Sequence, residues 1–125
     1  MALTVALRPA GDGVEVEIAN AGPEPVRFST ATMLGSAAFE LTDGEGRPVP
    51  LGPPPMPPSD LAAGLVTLAP GESTTLRYRL GDLLPDGPPA GGHRLRFAAA
   101  APPLEGAWSG TLESPWMELG QTETL

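Results

Sequence analysis

The sequence of 125 residues contains no cysteine, no lysine and only one histidine. Without cysteine the chain forms no disulfide and has no thiolate for nucleophilic attack or for binding zinc or an iron–sulfur cluster. A metal site built on a single histidine would need carboxylates beside it. The sequence therefore predicts neither a bound metal nor a cofactor.

Long apolar runs are also missing. No stretch approaches the roughly 20 apolar residues of a membrane span. Residues 1–8 alternate in the manner of a strand and lack a basic leader, so they do not resemble a signal peptide. With Met1 as the native start, we expect a cytoplasmic protein.

Positive charge is scarce, because the chain has only seven arginines against fifteen carboxylates and its formal net charge is -8. A protein that binds nucleic acid or an anionic membrane needs clustered cations. The largest basic groups here are the pairs Arg77/Arg79 and Arg94/Arg96. We therefore predict that neither nucleic acid nor a membrane is a partner.

Proline and glycine are abundant, at 17 and 16 residues. Such contents are common in disordered chains, but here the two residue types separate short apolar runs, where turns require them. The length suits one domain. We predict a single domain over residues 1–120 and a flexible C-terminal tail over residues 121–125.

Apolar and polar residues alternate in several short segments, which is the pattern of half-buried strands. We predict an edge strand over residues 47–51, which contain two prolines, and one helical turn within residues 81–87. The other predicted strands cover residues 3–7, 14–18, 26–30, 37–42, 65–68, 76–80, 95–97 and 107–119, the last interrupted at Ser114-Pro115. The predicted fold is all-β, an immunoglobulin-like antiparallel β-sandwich of about seven to nine short strands.

Three segments in the second half of the chain form a recognisable series. Residues 68–73, Leu-Ala-Pro-Gly-Glu-Ser, lead into the alternating segment 76–80, and residues 91–97, Gly-Gly-His-Arg-Leu-Arg-Phe, follow. Residues 18–23 and 39–46 add Ile-Ala-Asn-Ala-Gly-Pro and Phe-Glu-Leu-Thr-Asp-Gly-Glu-Gly. This order resembles the accessory sandwich domain that precedes the catalytic domain of deuterolysin-type zinc endopeptidases. Bacterial intracellular proteinase inhibitors are similar at the same level.

The resemblance implies a non-catalytic domain whose partner is another protein, with a protease as the candidate. Two features depart from the family pattern. The zinc-binding His-Glu-x-x-His helix is absent, so no catalytic activity is carried over. His93 stands where the family has a tyrosine, which leaves the hydrogen bond of that tyrosine in doubt.

Few residues are suited to catalysis. His93 with nearby carboxylates would define a minimal hydrolase, which is the alternative to a non-catalytic domain. Ser73, Ser109 and Ser114 lack the Gly-x-Ser-x-Gly elbow of serine hydrolases. The turn at residues 43–46, Asp-Gly-Glu-Gly, lacks the further acidic ligands of a calcium loop and fits a hairpin turn. We predict that the protein is not an enzyme.

Three apolar residues are candidates for contact with a partner. Met56 lies within the proline-rich segment 53–58, which is either a polyproline ligand or a stiff connection between strands. Trp108 and Trp116 are either interface anchors or fillers of the core and sheet edges. The predicted function is a small acidic interaction or accessory domain that partners or inhibits a protease. A structural module of a larger assembly is the third possibility.

Overall fold

The structure is a computed structural model and describes residues 3–56, 58–84 and 92–119. Strands dominate it, accompanied by two 3₁₀ turns, Gly35–Ala38 and Leu61–Gly64, and one α-helical turn, Leu80–Leu83. Nine strands lie in these ranges: β1 Leu3–Ala10, β2 Gly13–Asn20, β3 Val26–Ser29, β4 Phe39–Thr42, β5 Leu65–Leu68, β6 Ser73–Arg79, β7 His93–Ala101, β8 Gly110–Glu113 and β9 Met117–Leu119. The predicted all-β class is confirmed. The predicted tail, residues 121–125, lies outside the described residues.

All strand pairs are antiparallel and form three groups. One sheet has the order β1-β2-β6, with β2 in the middle. A second sheet is centred on β7, which pairs with β4 on one side and with β8 and β9 in succession. The short strands β3 and β5 pair with each other. β1 and β2 follow each other in the chain and pair antiparallel, so the short turn at residues 11–12 suffices to join them.

The core lies between the β2 and β7 sheets. Val14, Val16 and Ile18 of β2 are fully buried, because alternate residues of a strand point to the same face. From the other sheet, the ring of Phe39 meets the ring of Tyr78 edge-on, with 4.8 Å between centroids. Phe39 also contacts Phe97, at 5.5 Å. These rings join β4, β6 and β7 across the two sheets.

A β-bulge separates β8 from β9. Ala98 pairs with Glu113 and Leu95 pairs with Met117, so two residues of β7 face three residues of the other strand. The extra residue is Pro115, whose missing N–H is tolerated in a bulge. The Ser114 hydroxyl takes the place of a ladder partner by accepting a hydrogen bond from the Phe97 N–H, at 3.0 Å. After the bulge the alternation of inward and outward residues is reversed.

The buried Asn20 fixes the end of β2. Its side-chain amide donates to the carbonyls of Glu24, at 2.7 Å, and Leu68, at 3.0 Å. Its side-chain oxygen accepts from the Gly22 N–H at 3.0 Å. One side chain thus holds the turn after β2 against the end of β5, which explains the asparagine in segment 18–23.

Two of the predicted elements, at residues 47–51 and 81–87, differ in detail from the structure. Residues 47–51 do not form the predicted edge strand, since only Pro48 makes an isolated bridge, to Thr42. Pro48 and Pro50 lack the N–H groups that a regular ladder needs. The helical turn predicted within residues 81–87 is present as Leu80–Leu83, although residues 85–91 are outside the described ranges.

Candidate functional site

An edge strand exposes unpaired backbone groups unless something covers or interrupts it. β6 is such a strand, because β2 pairs with only one of its sides. The Leu80 N–H donates to the Asp12 carbonyl, and the Asn20 N–H donates to the Glu72 carbonyl. Antiparallel hydrogen bonding repeats every two residues, so even-numbered residues of β6 bond to β2. The backbone groups of Ser73, Thr75, Arg77 and Arg79 therefore point away from it.

The other long edges are protected. By the same register, the nitrogen of Pro9 lies on the open side of β1, where its ring blocks a further strand. The edge of β4 is covered by residue 49, since the Val49 N–H donates to the Leu41 carbonyl at 2.8 Å. Pro115 interrupts the edge formed by β8 and β9. β3 and β5 have only four residues each. Among the described residues, β6 is the long edge without a proline or a covering segment.

A groove of about 770 Å³ runs along this open edge. Four consecutive residues of β6, 76–79, line it, so it follows the strand's backbone and not just one face of the sheet. Its walls come from residues 30, 33–35 and 53–55. We call this feature the β6 groove.

The walls of the β6 groove are fixed by specific contacts. The Tyr78 hydroxyl donates to the Met33 carbonyl at 2.8 Å, and burial raises the pKa of Tyr78, so the phenol keeps its proton. Gly35 has a φ of 51°, and a Cβ there would lie 2.7 Å from Cδ of Pro55. Glycine at position 35 thus lets the proline-rich wall approach. The Ser36 hydroxyl donates to the Gly52 carbonyl and holds the base of that wall.

The β6 groove carries positive charge on a strongly acidic protein. Arg77 pairs with Glu15, with 2.9 Å between Nε and Oε2, and this hydrogen bond is the main reason that the pKa of Glu15 lies below its usual value. Arg79 is exposed and has no carboxylate within 4 Å among the described residues. Asp82 also lines the groove but is not within 4 Å of the Arg79 guanidinium. Arg79 is therefore available to a ligand's negative charge.

The three predicted contact residues occupy different places. Met56 is 88% exposed and follows Pro55, which lines the β6 groove. Trp116 is 40% exposed on the outer face of the β7 sheet, with the Arg96 guanidinium 4.6 Å from its ring centroid. Trp116 lines a second hollow, of about 580 Å³, which shares Pro54 with the β6 groove. The structure therefore places Met56 and Trp116 beside neighbouring hollows.

Trp108 is not part of this arrangement. It is half-buried and packs against the core, its backbone N–H donates to the Arg27 carbonyl at 2.7 Å, and Gly110 lies against its ring. The signal for the β6 groove that sequence reasoning missed is the contrast between Pro9 in β1 and the proline-free β6. That contrast becomes informative only once the sheet order is known.

The residues considered for catalysis lie apart or have structural partners. His93 begins β7 and pairs with Leu119 of β9. The Ser114 hydroxyl is buried in the bulge. Asp43 accepts from the backbone N–H groups of Arg47 and Glu45, and these bonds lower the pKa of Asp43. Within the described ranges no three acidic or histidine side chains come together as a metal site would require.

Comparison with known proteins indicates no function, so the function is argued from the geometry of the site. No protein-family model matches the chain, and no curated protein matches its sequence. The likeness to accessory domains of zinc endopeptidases therefore remains a prediction from turn and strand motifs. None of the helices in the part of the chain that is described has the length and apolarity to cross a bilayer.

Proposed function

We propose that this protein is a non-catalytic interaction domain that binds an extended segment of another protein along the open edge of β6. The single observation that carries the proposal is an edge of seven residues that no described segment covers and of which four line a preformed groove. In strand addition, main-chain hydrogen bonds supply affinity, and pockets for alternate side chains supply specificity. The β6 groove offers both kinds of contact.

The rigidity of the walls favours such binding. Ordering a loop or a side chain on association costs about 0.5 to 1.5 kcal/mol for each flexible group. The prolines at residues 53–55 have fixed φ angles, and the Met33 carbonyl is already held by Tyr78. Little of this cost therefore falls on the domain, and most of it falls on the incoming segment.

Two further parts of the proposal rest on the resemblance. The first part is that the strands form an immunoglobulin-like sandwich, and the second part is that the bound segment belongs to a protease. A cleavage assay with added domain tests the second part. The expected result is slower cleavage by the protease that binds the β6 groove, and unchanged activity of that protease would contradict it.

Blocking the edge at one residue tests the proposed function. Thr75→Pro removes an N–H that faces away from β2 and places a ring on the open side, whereas Thr75→Ala removes only the side chain. Peptides of eight randomised residues are selected on the immobilised wild-type domain, and the strongest is titrated against each variant. We expect Thr75→Ala to bind like wild type and Thr75→Pro to bind at least about tenfold more weakly, because ladder bonds and fit are both lost.

Hydrogen exchange of the wild-type domain provides a second readout that does not depend on the folding of Thr75→Pro. On binding, the amides of Ser73, Thr75, Arg77 and Arg79 should gain protection, because these are the N–H groups on the open side. Equal binding by Thr75→Pro, or a peptide that leaves these amides unprotected, would show that β6 is not the binding edge.

Met56 is expected to add contact area at the rim of the β6 groove. Met56→Ala should weaken binding of the selected peptide by about 1 kcal/mol, which is the scale of a modest anchor residue. The melting temperature should stay unchanged, because the side chain is 88% exposed in the free domain. Met56→Leu, which keeps volume and apolarity, serves as the control and should restore affinity. If Met56→Ala binds the peptide with unchanged affinity, Met56 is not part of the binding surface.

A further inference from the structure

A more specific inference concerns the chemistry of the bound segment, and it rests on the proposed function. We infer that the β6 groove selects an extended segment in which acidic residues alternate with β-branched apolar residues, the carboxylates facing Arg79 and Arg77. Three features of the described residues lead to this pattern: the pairing of β2 with β6, the glycine opposite Arg79, and the apolar inner wall of the groove.

β2 already illustrates what β6 accepts as a neighbour. Glu15 lies opposite Arg77, while Val14 and Val16 lie opposite Tyr78 and Leu76. The acidic residue of β2 is on the outer face with the arginines, and its valines are buried on the inner face. Directly opposed residues of antiparallel strands point to the same face. A strand on the open side meets the same two faces of β6, so the same alternation fits there.

Arg79 has no partner from β2 because glycine lies opposite it. The residue paired with Arg79 is Gly13, and a Cβ at that position would lie 2.0 Å from the Tyr78 carbonyl oxygen. β2 therefore cannot present a side chain to Arg79. Asp82 and Asp12 line hollows shared with Arg79 but do not lie within 4 Å of its guanidinium. A carboxylate directly opposite Arg79 has to come from the open side, which makes that position the strongest acidic position of the bound segment.

Arg77 defines a second acidic position two residues away. Its side chain is 75% exposed although it pairs with Glu15, and a guanidinium has five N–H donors, more than one carboxylate can use. A second carboxylate on the open side therefore finds free donors. The two acidic residues of the segment are separated by one residue, because Arg77 and Arg79 lie on the same face.

The residue between the two carboxylates turns into the β6 groove. Opposite Tyr78 and Leu76, a side chain of the added strand would face Met33 and Leu34, which line the same groove. These surroundings are mainly apolar, so an apolar side chain fits here, and β-branched side chains suit an extended strand. The net charge of -8 repels acidic segments at long range, but at physiological salt such repulsion is screened beyond about 8 Å. Local pairing with the arginines therefore decides the preference.

The test uses the full chain and three capped peptides that differ only at the outward positions. Their sequences are Ser-Glu-Val-Glu-Val-Glu-Val-Ser, the same peptide with Gln for Glu, and the same peptide with Lys for Glu. Titration calorimetry should give the Glu peptide about tenfold higher affinity than the Gln peptide, as charge-assisted hydrogen bonds are the stronger ones. The Lys peptide should bind more weakly than either.

Two arginine variants provide a matched pair. Arg79→Gln should remove most of the advantage of the Glu peptide over the Gln peptide and leave only the part that Arg77 supplies, while the affinity of the Gln peptide changes much less. Arg27→Gln makes the same change of charge on β3, outside the groove, and Arg27 also has no carboxylate within 4 Å in the described ranges. It should leave all three affinities unchanged. The difference between the two variants isolates the local pairing from net charge.

The outcomes separate this inference from the proposed function. Equal affinities of the Glu and Gln peptides, with both lost in Thr75→Pro, would overturn the charge preference and leave edge binding intact. Equal losses in Arg79→Gln and Arg27→Gln would also overturn it. If no peptide, selected or designed, protects the odd-numbered amides of β6, edge binding fails as well. A free chain that is dimeric, with those amides protected, would make a second copy the occupant and overturn the inference.

Discussion

Replacing Phe97 by alanine is expected to lower the free energy of unfolding by about 3 to 5 kcal/mol, the range for removing a buried phenylalanine. The Phe97 side chain is fully buried on the inner face of β7. Its ring lies 5.5 Å from that of Phe39 and 6.4 Å from that of Tyr78, so it joins the two sheets. Urea denaturation followed by tryptophan fluorescence measures the change.

Trp116→Ala is the matched control for this prediction. It removes a larger aromatic side chain from the outer face of the same sheet, where the ring is 40% exposed and stacks on Arg96. An exposed cation–π contact contributes about 0.5 to 1 kcal/mol, so the loss should be much smaller than for Phe97→Ala. Circular dichroism replaces fluorescence for this variant. Similar losses for the two variants would mean that the sheets do not pack through the faces described.

The Phe97 ring also supports one wall of the β6 groove. Phe97 contacts Tyr78, and Tyr78 holds the Met33 carbonyl that lines the groove. Core packing thus determines the position of one groove wall. A protein that presents an edge strand gains from such rigidity, because a fixed edge offers its hydrogen bonds without prior ordering.

Strand positions could be predicted from the sequence because period-two alternation is a local signal. β2 is the clearest case: Val14, Val16 and Ile18 alternate with two glutamates, and the three apolar residues are buried as expected. The interruption at Ser114-Pro115 was equally visible, since proline cannot donate to a ladder. Local chemistry therefore accounts for most of the all-β class.

The orientation of Trp116 could not be predicted in the same way. Leu112 and Ser114 point inward, so an uninterrupted strand would also direct Trp116 into the core. One extra residue at Pro115 reverses the alternation and leaves Trp116 outside. The sequence contains the proline, but it does not reveal whether the chain inserts a bulge or ends the strand there.

The candidate site depends on contacts between distant parts of the chain. Residues 33–35, 53–55 and 76–79 line the β6 groove together, and no local pattern relates them. Met56 was predictable as an exposed tip from the prolines around it, and it is 88% exposed. The open edge of β6 was not, because it follows from the sheet order β1-β2-β6, which is set by long-range pairing.

Asn20→Ala is expected to destabilise the fold by about 3 kcal/mol or more, although it removes only one small polar side chain. The residue is 1% exposed and makes three hydrogen bonds, with the Gly22 N–H and the carbonyls of Glu24 and Leu68. Deleting the amide leaves the Leu68 carbonyl without that partner at a buried place, where an unsatisfied group costs about 1 to 3 kcal/mol. The part-buried Gly22 N–H and Glu24 carbonyl lose the same partner and add smaller losses, as does the void left by the side chain. Thermal unfolding followed by circular dichroism measures the loss.

Two variants show whether the hydrogen bonds of Asn20 cause this loss. Glu24→Ala changes an exposed side chain of the same turn and keeps the carbonyl that Asn20 binds, so stability should change by less than about 0.5 kcal/mol. Asn20→Asp keeps the shape and the acceptor for the Gly22 N–H but aims a carboxylate at two carbonyl oxygens. At neutral pH it should be at least as unstable as Asn20→Ala, because a buried charge facing acceptors is more costly than a small void. A stable Asn20→Asp would mean that the turn after β2 is not held by donation from this amide.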